Sequence, residues 1–472
     1  MAHWFSALQS VLGSVPALAE GAGVVFQAAC AAAKNSTDIP RWLLQLAQKF
    51  GIPTSQDLPS VLLLLFWSVV VFTLIAIVAQ AAVVFMVLME RKVLAWLTQR
   101  KGPNRVGPFG LLQTLADGVK LLFKEDVMTP GQDKLLFVLG PALFIFPVFV
   151  LYAFIPFTDF LFTLALPVGA LAVFALSSIS MIGMVLAGWA SNNKYSLIGG
   201  MRSAAQAISY EIPLILSVLA VVLFAGSMNL DTIVKAQQGP LGALSWYWFF
   251  LTPVSFLVFL ISSIAEVNRI PFDLPEAESE LVSGYNTEYS GMKFALFFLA
   301  EYAALFVMSA LTVTFFFGGY ASPLAGIQLG DLTFTTTLME TFGVSAWLSS
   351  VTGVLAVDFL LKQFEMITWF LLKTYWFIFF AMWLRGTLPR LKPDQLMGFS
   401  WKFLIPVSLI NVLVVAVQRL WAHPSQWSTL SSNIPMVLLW VAVLVFGLGG
   451  FIHWSSQYLT ANTLRRFQQS PA

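Results

Sequence analysis

Four glutamates, Glu90, Glu211, Glu266 and Glu301, fall within or at the ends of long apolar stretches, and they are where this sequence can do chemistry. A carboxylate held inside a membrane costs about 2.5–3.5 kcal/mol on insertion scales, so residues kept there usually relay protons or bind ions. Glu211 and Glu301 stand about two helical turns inside their stretches, which favours function. Glu90 and Glu266 stand at the ends, where a snorkelling side chain is an equally good reading. Pro213 follows Glu211 closely; it lacks an N–H and its ring crowds the carbonyl of Ser209. The helix is expected to kink there and free that carbonyl for water or a side chain, either as part of a hydrated proton site or as a packing feature. Tyr210, Tyr285, Tyr289 and Tyr302 are candidate hydrogen-bond partners for these acids.

Glu266 and Glu301 bound a second feature. Of the chain's 23 acidic residues, Glu266, Asp273, Glu276, Glu278, Glu280, Glu288 and Glu301 all lie within residues 266–302. Glu276, Glu278 and Glu280 alternate with small residues, and crowded acids raise one another's pKa. A solvated acidic loop is the competing reading, although Pro271 and Pro275 stiffen its start.

Other chemistries find little support. The single cysteine, Cys30, can make neither an internal disulfide nor a thiolate cluster site. The three histidines, His3, His423 and His453, lie near the chain ends, and no GxGxxG or GxxxxGK occurs. The expectation is a chain that binds no redox cofactor by itself. Ala17-Leu18-Ala19 resembles a cleavage site but lacks a basic flank, so a removed signal peptide is not expected.

The elements that must position these acids are helices. The 472 residues are 58% hydrophobic and 10% charged, with a mean hydropathy of +0.82, against about 25% charged residues in soluble domains. The fold class is an all-α polytopic membrane protein. A span needs about 20 apolar residues, which gives nine: roughly 61–89, 135–157, 161–187, 205–226, 246–265, 293–317, 366–385, 402–420 and 434–453. The Ala-rich segment 11–33 reads as interfacial or buried. Loops 90–134, 188–204, 266–292 and 386–401 then share one side with the C-terminal tail and hold most of the 25 Lys and Arg, so they are expected to be cytoplasmic. In the first loop, Leu111, Leu112, Leu115, Val119, Leu122 and Phe123 share a face of an amphipathic helix over 111–124. It lies on the membrane, under a partner, or against its own bundle. Residues 318–365 form an outer-side insertion.

Several long ordered motifs make the sequence similar to a known family: ERKVLAWLTQRKGPNRVGPFG (90–110), ADGVKLLFKED (116–126), GWASNNKYSLIGGMRSAAQAISYE (188–211), the 266–302 stretch and LRGTLPRLKPDQLM (384–397). Together they resemble the bacterial-type H subunit of respiratory complex I, the proton-pumping NADH:quinone oxidoreductase. The resemblance implies a membrane component of the cell inner membrane that joins the quinone-reducing arm to the pumping arm. It implies Arg91, Arg100, Asp117, Glu276, Glu278 and Glu280 at the quinone, and Glu90, Glu211, Glu266, Glu288 and Glu301 on the proton path. It implies quinone as substrate, FMN and iron–sulfur clusters in partner subunits, and iron–sulfur, small membrane and antiporter-like subunits as neighbours. The matching core of eight spans is 61–420. Residues 1–60 form an N-terminal extension, and 421–472, with the span 434–453, a C-terminal one. The competing readings are a self-contained proton-coupled secondary transporter, which should show paired halves with broken helices, and the equivalent subunit of a ferredoxin-fed or hydrogenase complex.

Overall fold

The structure, a computed structural model, describes residues 73, 80–159, 166–238, 242–248, 252–275, 278–325, 328–329, 332–333, 337 and 355–421. All but Thr73 belong to the compact unit Ile75–Ala472. The expected segments 11–33 and 434–453, and most of 61–89, lie outside the described residues.

In chain order the helices are α1 (described over 80–97), α2 (Gln113–Phe123), α3 (Lys134–Tyr152), α4 (Gly169–Ala190), α5 (Lys194–Ala225), α6 (Leu230–Ala236), α7 (Pro253–Glu266), α8 (Gly291–Phe316), α9 (Leu355–Thr387), α10 (Pro393–Phe399) and α11 (Ile405–Trp421). A π-helical turn, Ser400–Leu404, joins α10 to α11. Gln328–Leu329 and Leu332–Thr333 form a two-residue antiparallel pair. Six helices among the described residues are long and apolar enough to cross a membrane, and α7 is a shorter apolar one. The chain is a multi-pass, all-helical membrane protein.

Helix α5 is the hub, packing against α4, α7 and α11, while α8 packs against α3 and α9. Close approach of α3 and α4 depends on Gly183, where an added Cβ would stand 2.6 Å from the Phe144 nitrogen. At the end of the bundle opposite the charged loops, Phe256, Phe316, Phe317, Phe377 and Trp248 interlock with ring centroids 4.8–6.5 Å apart.

The segment 188–204, expected as a loop, is mostly helix. Asn193 caps α5, its side chain accepting from the Tyr195 N–H at 3.0 Å, and the helix runs 32 residues to Ala225. That is about 48 Å of helix, well beyond a hydrocarbon core of about 30 Å. Its first third is poor in apolar residues, so the length rule missed it. Ser196, Gly199, Gly200 and Ser203 are nevertheless buried, because this part of α5 stands against the acidic loop at Ser196 and Gly199 and against α4 at Gly200 and Ser203. The expected span 246–265 shortens to α7, which begins at Pro253, a residue suited to a first helical turn. Expected span 161–187 becomes Gly169–Ala190, and α9 takes the last part of 318–365. Helix α2 presents Leu115, Val119, Leu122 and Phe123 outward, all exposed, which favours the membrane or partner reading of its apolar face.

Candidate functional site

Between α1, α2 and α8 lies a cavity of about 420 Å³. Its walls are Val83, Val84 and Val87 from α1, Leu121 from α2, and Phe294, Phe298 and Leu299 from α8. Arg91 and Asp117 also line it, with Arg91 Nη1 2.5 Å from Asp117 Oδ2. Gln113 Nε2 donates to the other Asp117 oxygen at 3.3 Å. The volume falls within the range of small-molecule pockets, and its few convergent polar groups suit an amphiphile. Arg100 lies beyond the C-terminal end of α1, exposed and apart from this wall.

Glu90, one residue before Arg91, points about 100° away around the helix. It is 3% exposed and is held by two guanidinium groups, Arg269 Nη1 at 3.3 Å and Arg385 Nη1. The Arg269 guanidinium carbon lies 4.1 Å over the Tyr302 ring. A buried carboxylate is tolerable when paired in this way, and the cluster ties α1, α9 and the turn after α7 together. Asp273 in the same turn pairs with Arg390 at 2.7 Å.

That turn is also clamped from α5. Gln206 Nε2 donates to the carbonyls of Ala265 and Phe272, each at 2.7 Å, and to Asn268 Oδ1 at 3.0 Å. Asn268 adopts a left-handed conformation, φ 54°, which asparagine tolerates better than most residues.

Glu266 and Glu301 meet at a second cavity, of about 30 Å³, between α3, α4, α5, α7 and α8. Ser177, Ser180 and Asn268 also line it, among apolar neighbours that include Phe144, Leu151, Met184 and Met308. One water needs about 10–15 Å³ and several polar neighbours, so this space suits a water shared by the two acids. Tyr285 donates its hydroxyl to Glu301 Oε1 at 2.9 Å. Glu266 Oε2 is buried without a protein partner among the described residues.

Glu211, half-buried on α5, accepts a hydrogen bond from Ser178 on α4. The carbonyl of Ser209, freed by Pro213, accepts from Ser400 Oγ at 2.5 Å, and Trp401 Nε1 donates to Ser209 Oγ at 3.1 Å. The donors come from the π-helical turn, and α5 continues through the proline. Of the four tyrosines expected to serve the acids, Tyr285 does so. Tyr210 donates instead to the Leu396 carbonyl at 3.0 Å and Tyr289 to the Phe137 carbonyl at 3.2 Å. Burial pushes the Tyr289 phenol up, which keeps it a donor. Tyr302 carries Arg269 on its face.

The loop acids do not simply crowd one another. Glu280 pairs with Arg202 at 2.6 Å, and Asn193 Nδ2 donates to Glu288 at 2.6 Å. Both partners stand at the N-terminal end of α5. Between them Gly199 packs so closely that an added Cβ would stand 2.7 Å from Gly284 Cα. Glu276 and the side chain of Glu278 lie outside the described residues. Sequence reasoning missed Arg269, Arg385, Gln206, Asn268 and Ser178 as members of the site. The charge of Arg269 and Arg385 beside buried acids was a usable signal; the three neutral residues offered none.

These features define a membrane-embedded carboxylate site beneath a clamped loop, with an apolar pocket at its side. The NADH dehydrogenase family model matches residues 69–416. The H subunit of the NADH-quinone oxidoreductase of Brevibacillus brevis is 46% identical over 351 residues, 74% of this chain and 93% of the relative. Its counterpart in Geobacillus kaustophilus is 45% identical over 350 residues, 74% and 92% of the two chains. NADH-quinone oxidoreductase subunit 8 of Rhodothermus marinus is 44% identical over 361 residues, 76% and 98%. The chain belongs to this family of complex I membrane subunits.

Proposed function

We propose that this chain forms part of the quinone chamber of an NADH:quinone oxidoreductase and passes the consequence of quinone reduction to a proton path through Glu266, Glu301 and Glu211. The charged end of the bundle is the cytoplasmic side, and the complex sits in the cell inner membrane. Electrons reach the quinone from NADH through FMN and iron–sulfur clusters held by partner subunits docked on the loops. The 420 Å³ cavity supports a quinone route, its apolar walls suiting the tail and Arg91 with Asp117 the polar head. On the family resemblance we also assign Glu276, Glu278, Glu280 and Arg100 to the quinone, although the cavity wall itself carries Arg91 and Asp117.

The reduced quinone takes up protons, so charge at the chamber changes with each turnover. The loop that feels this change carries Tyr285, the donor to Glu301, and Glu288. A shift of the loop alters that hydrogen bond and hence the balance of charge between Glu301 and Glu266 across their shared water site. Glu90, held by Arg269 and Arg385, supplies the fixed end of the path, and Glu211 supplies its exit toward neighbouring membrane subunits. The observation that carries this reading is the cavity that joins Glu266 to Glu301 directly below the loop. Glu211→Gln in the reconstituted complex tests it: the complex assembles and reduces quinone, and proton uptake per electron falls. Normal pumping would remove Glu211 from the path.

A further inference from the structure

Gln206 carries a side-chain amide with only two hydrogens, yet three acceptors converge on it: the Ala265 and Phe272 carbonyls and Asn268 Oδ1. It is 1% exposed, and its own oxygen is buried without a donor among the described residues. Each acceptor matters to a different part of the site. Ala265 precedes Glu266. Asn268 forms part of the wall of the carboxylate cavity and precedes Arg269, which holds Glu90. Phe272 stands against Tyr210, ring centroids 5.4 Å apart. One amide on α5, five residues before Glu211 on the same helix, thus reaches both ends of the turn from Ala265 to Phe272.

We propose that Gln206 is the positioning residue that registers the cytoplasmic loop against the carboxylates, so that movement of the loop reaches Glu266 and Glu90 rather than being absorbed by a slack turn. With two hydrogens for three acceptors, one acceptor always shares, and the amide can follow a displaced turn by exchanging partners without leaving a hydrogen unpaired. The inference rests on the proton-path reading above. Gln206 touches neither quinone nor the relayed proton; it acts through the turn.

The test uses the whole complex in proteoliposomes, with Gln206→Met, which keeps the bulk and removes the donors, and Asn268→Gly, which removes one acceptor and accepts the left-handed backbone. Protons moved per electron are measured beside quinone reduction, with the KM for a short-chain quinone and the exchange of the amides of residues 267–270 and 272. In Gln206→Met, loss of two net hydrogen bonds predicts exchange faster by about thirtyfold, an unchanged KM, and fewer protons per electron; Asn268→Gly leaves the two amide hydrogens on the two carbonyls and has the smaller effect on exchange. A merely structural loss lowers both rates together and leaves their ratio intact, so a ratio equal to wild type in both variants overturns the proposal. Glu211→Gln in the same vesicles separates the failures. Normal pumping there removes the proton path itself, whereas impaired pumping there with normal ratios in the Gln206 and Asn268 variants removes only Gln206.

Discussion

Gly199→Ala is a small perturbation that adds one methyl against backbone rather than against an acid, and its effect follows from the distances around it. The added Cβ stands 2.7 Å from Gly284 Cα and from the Tyr285 nitrogen, where ordinary contact begins near 3.4 Å. Both neighbours are backbone, so one side must move by the difference, 3.4 minus 2.7, about 0.7 Å. Helix α5 is fixed by α4, α7 and α11, which leaves the loop to shift. Moved along the line of its bond, the Tyr285 hydroxyl goes from 2.9 Å to about 3.6 Å from Glu301, beyond hydrogen-bonding range. A hydrogen bond of this kind is worth about 0.5–1.5 kcal/mol net, so the bonded arrangement loses about two- to tenfold in population. The assay is proton uptake per electron in proteoliposomes carrying the complex, with NADH oxidation by a soluble acceptor, which bypasses this chain, as the assembly control. The expected result is intact NADH oxidation, faster amide exchange at Tyr285 and a lowered proton ratio. Unchanged exchange and an unchanged ratio would refute the claim that this contact holds Tyr285 on Glu301.

Arg91→Leu removes the charge facing Asp117 in the large cavity. Because the pair is partly exposed, its contribution is about 1 kcal/mol or less, so the KM for a short-chain quinone rises up to about fivefold and kcat changes less; an unchanged KM would place the headgroup elsewhere. Lys373→Met acts at the opposite end of the bundle, where the ammonium donates to the carbonyls of Phe317, Gly319 and Ala321 at 2.8, 2.9 and 2.6 Å and sits 4.1 Å over Trp246. Leaving three buried carbonyls unpaired costs about 1–3 kcal/mol each, so the chain is lost from the complex on a native gel. Gly183→Ala gives the same readout, since its Cβ meets backbone at 2.6 Å.

The helices were legible because a hydrocarbon layer selects apolar length, and the carboxylates because charge inside such stretches is conspicuous. The Ser209 carbonyl was legible too, since Pro213 frees it by local geometry; its partner, Ser400, was not, lying 191 residues away in sequence. The same distance hid the Glu90 cluster, whose cations come 179 and 295 residues later. The start of α5 escaped because its residues are selected for packing against the loop rather than for hydrophobicity. Gln206 carries neither charge nor motif, and only the folding of the turn back onto α5 reveals its three acceptors.

Most directly at stake is whether Glu301 carries the protons that quinone reduction moves. Glu301→Gln keeps the shape, the Tyr285 contact and the cavity while removing the titrating group. In proteoliposomes of the assembled complex, the account predicts that quinone reduction persists while proton uptake per electron falls well below wild type. A wild-type proton ratio in that variant would contradict it.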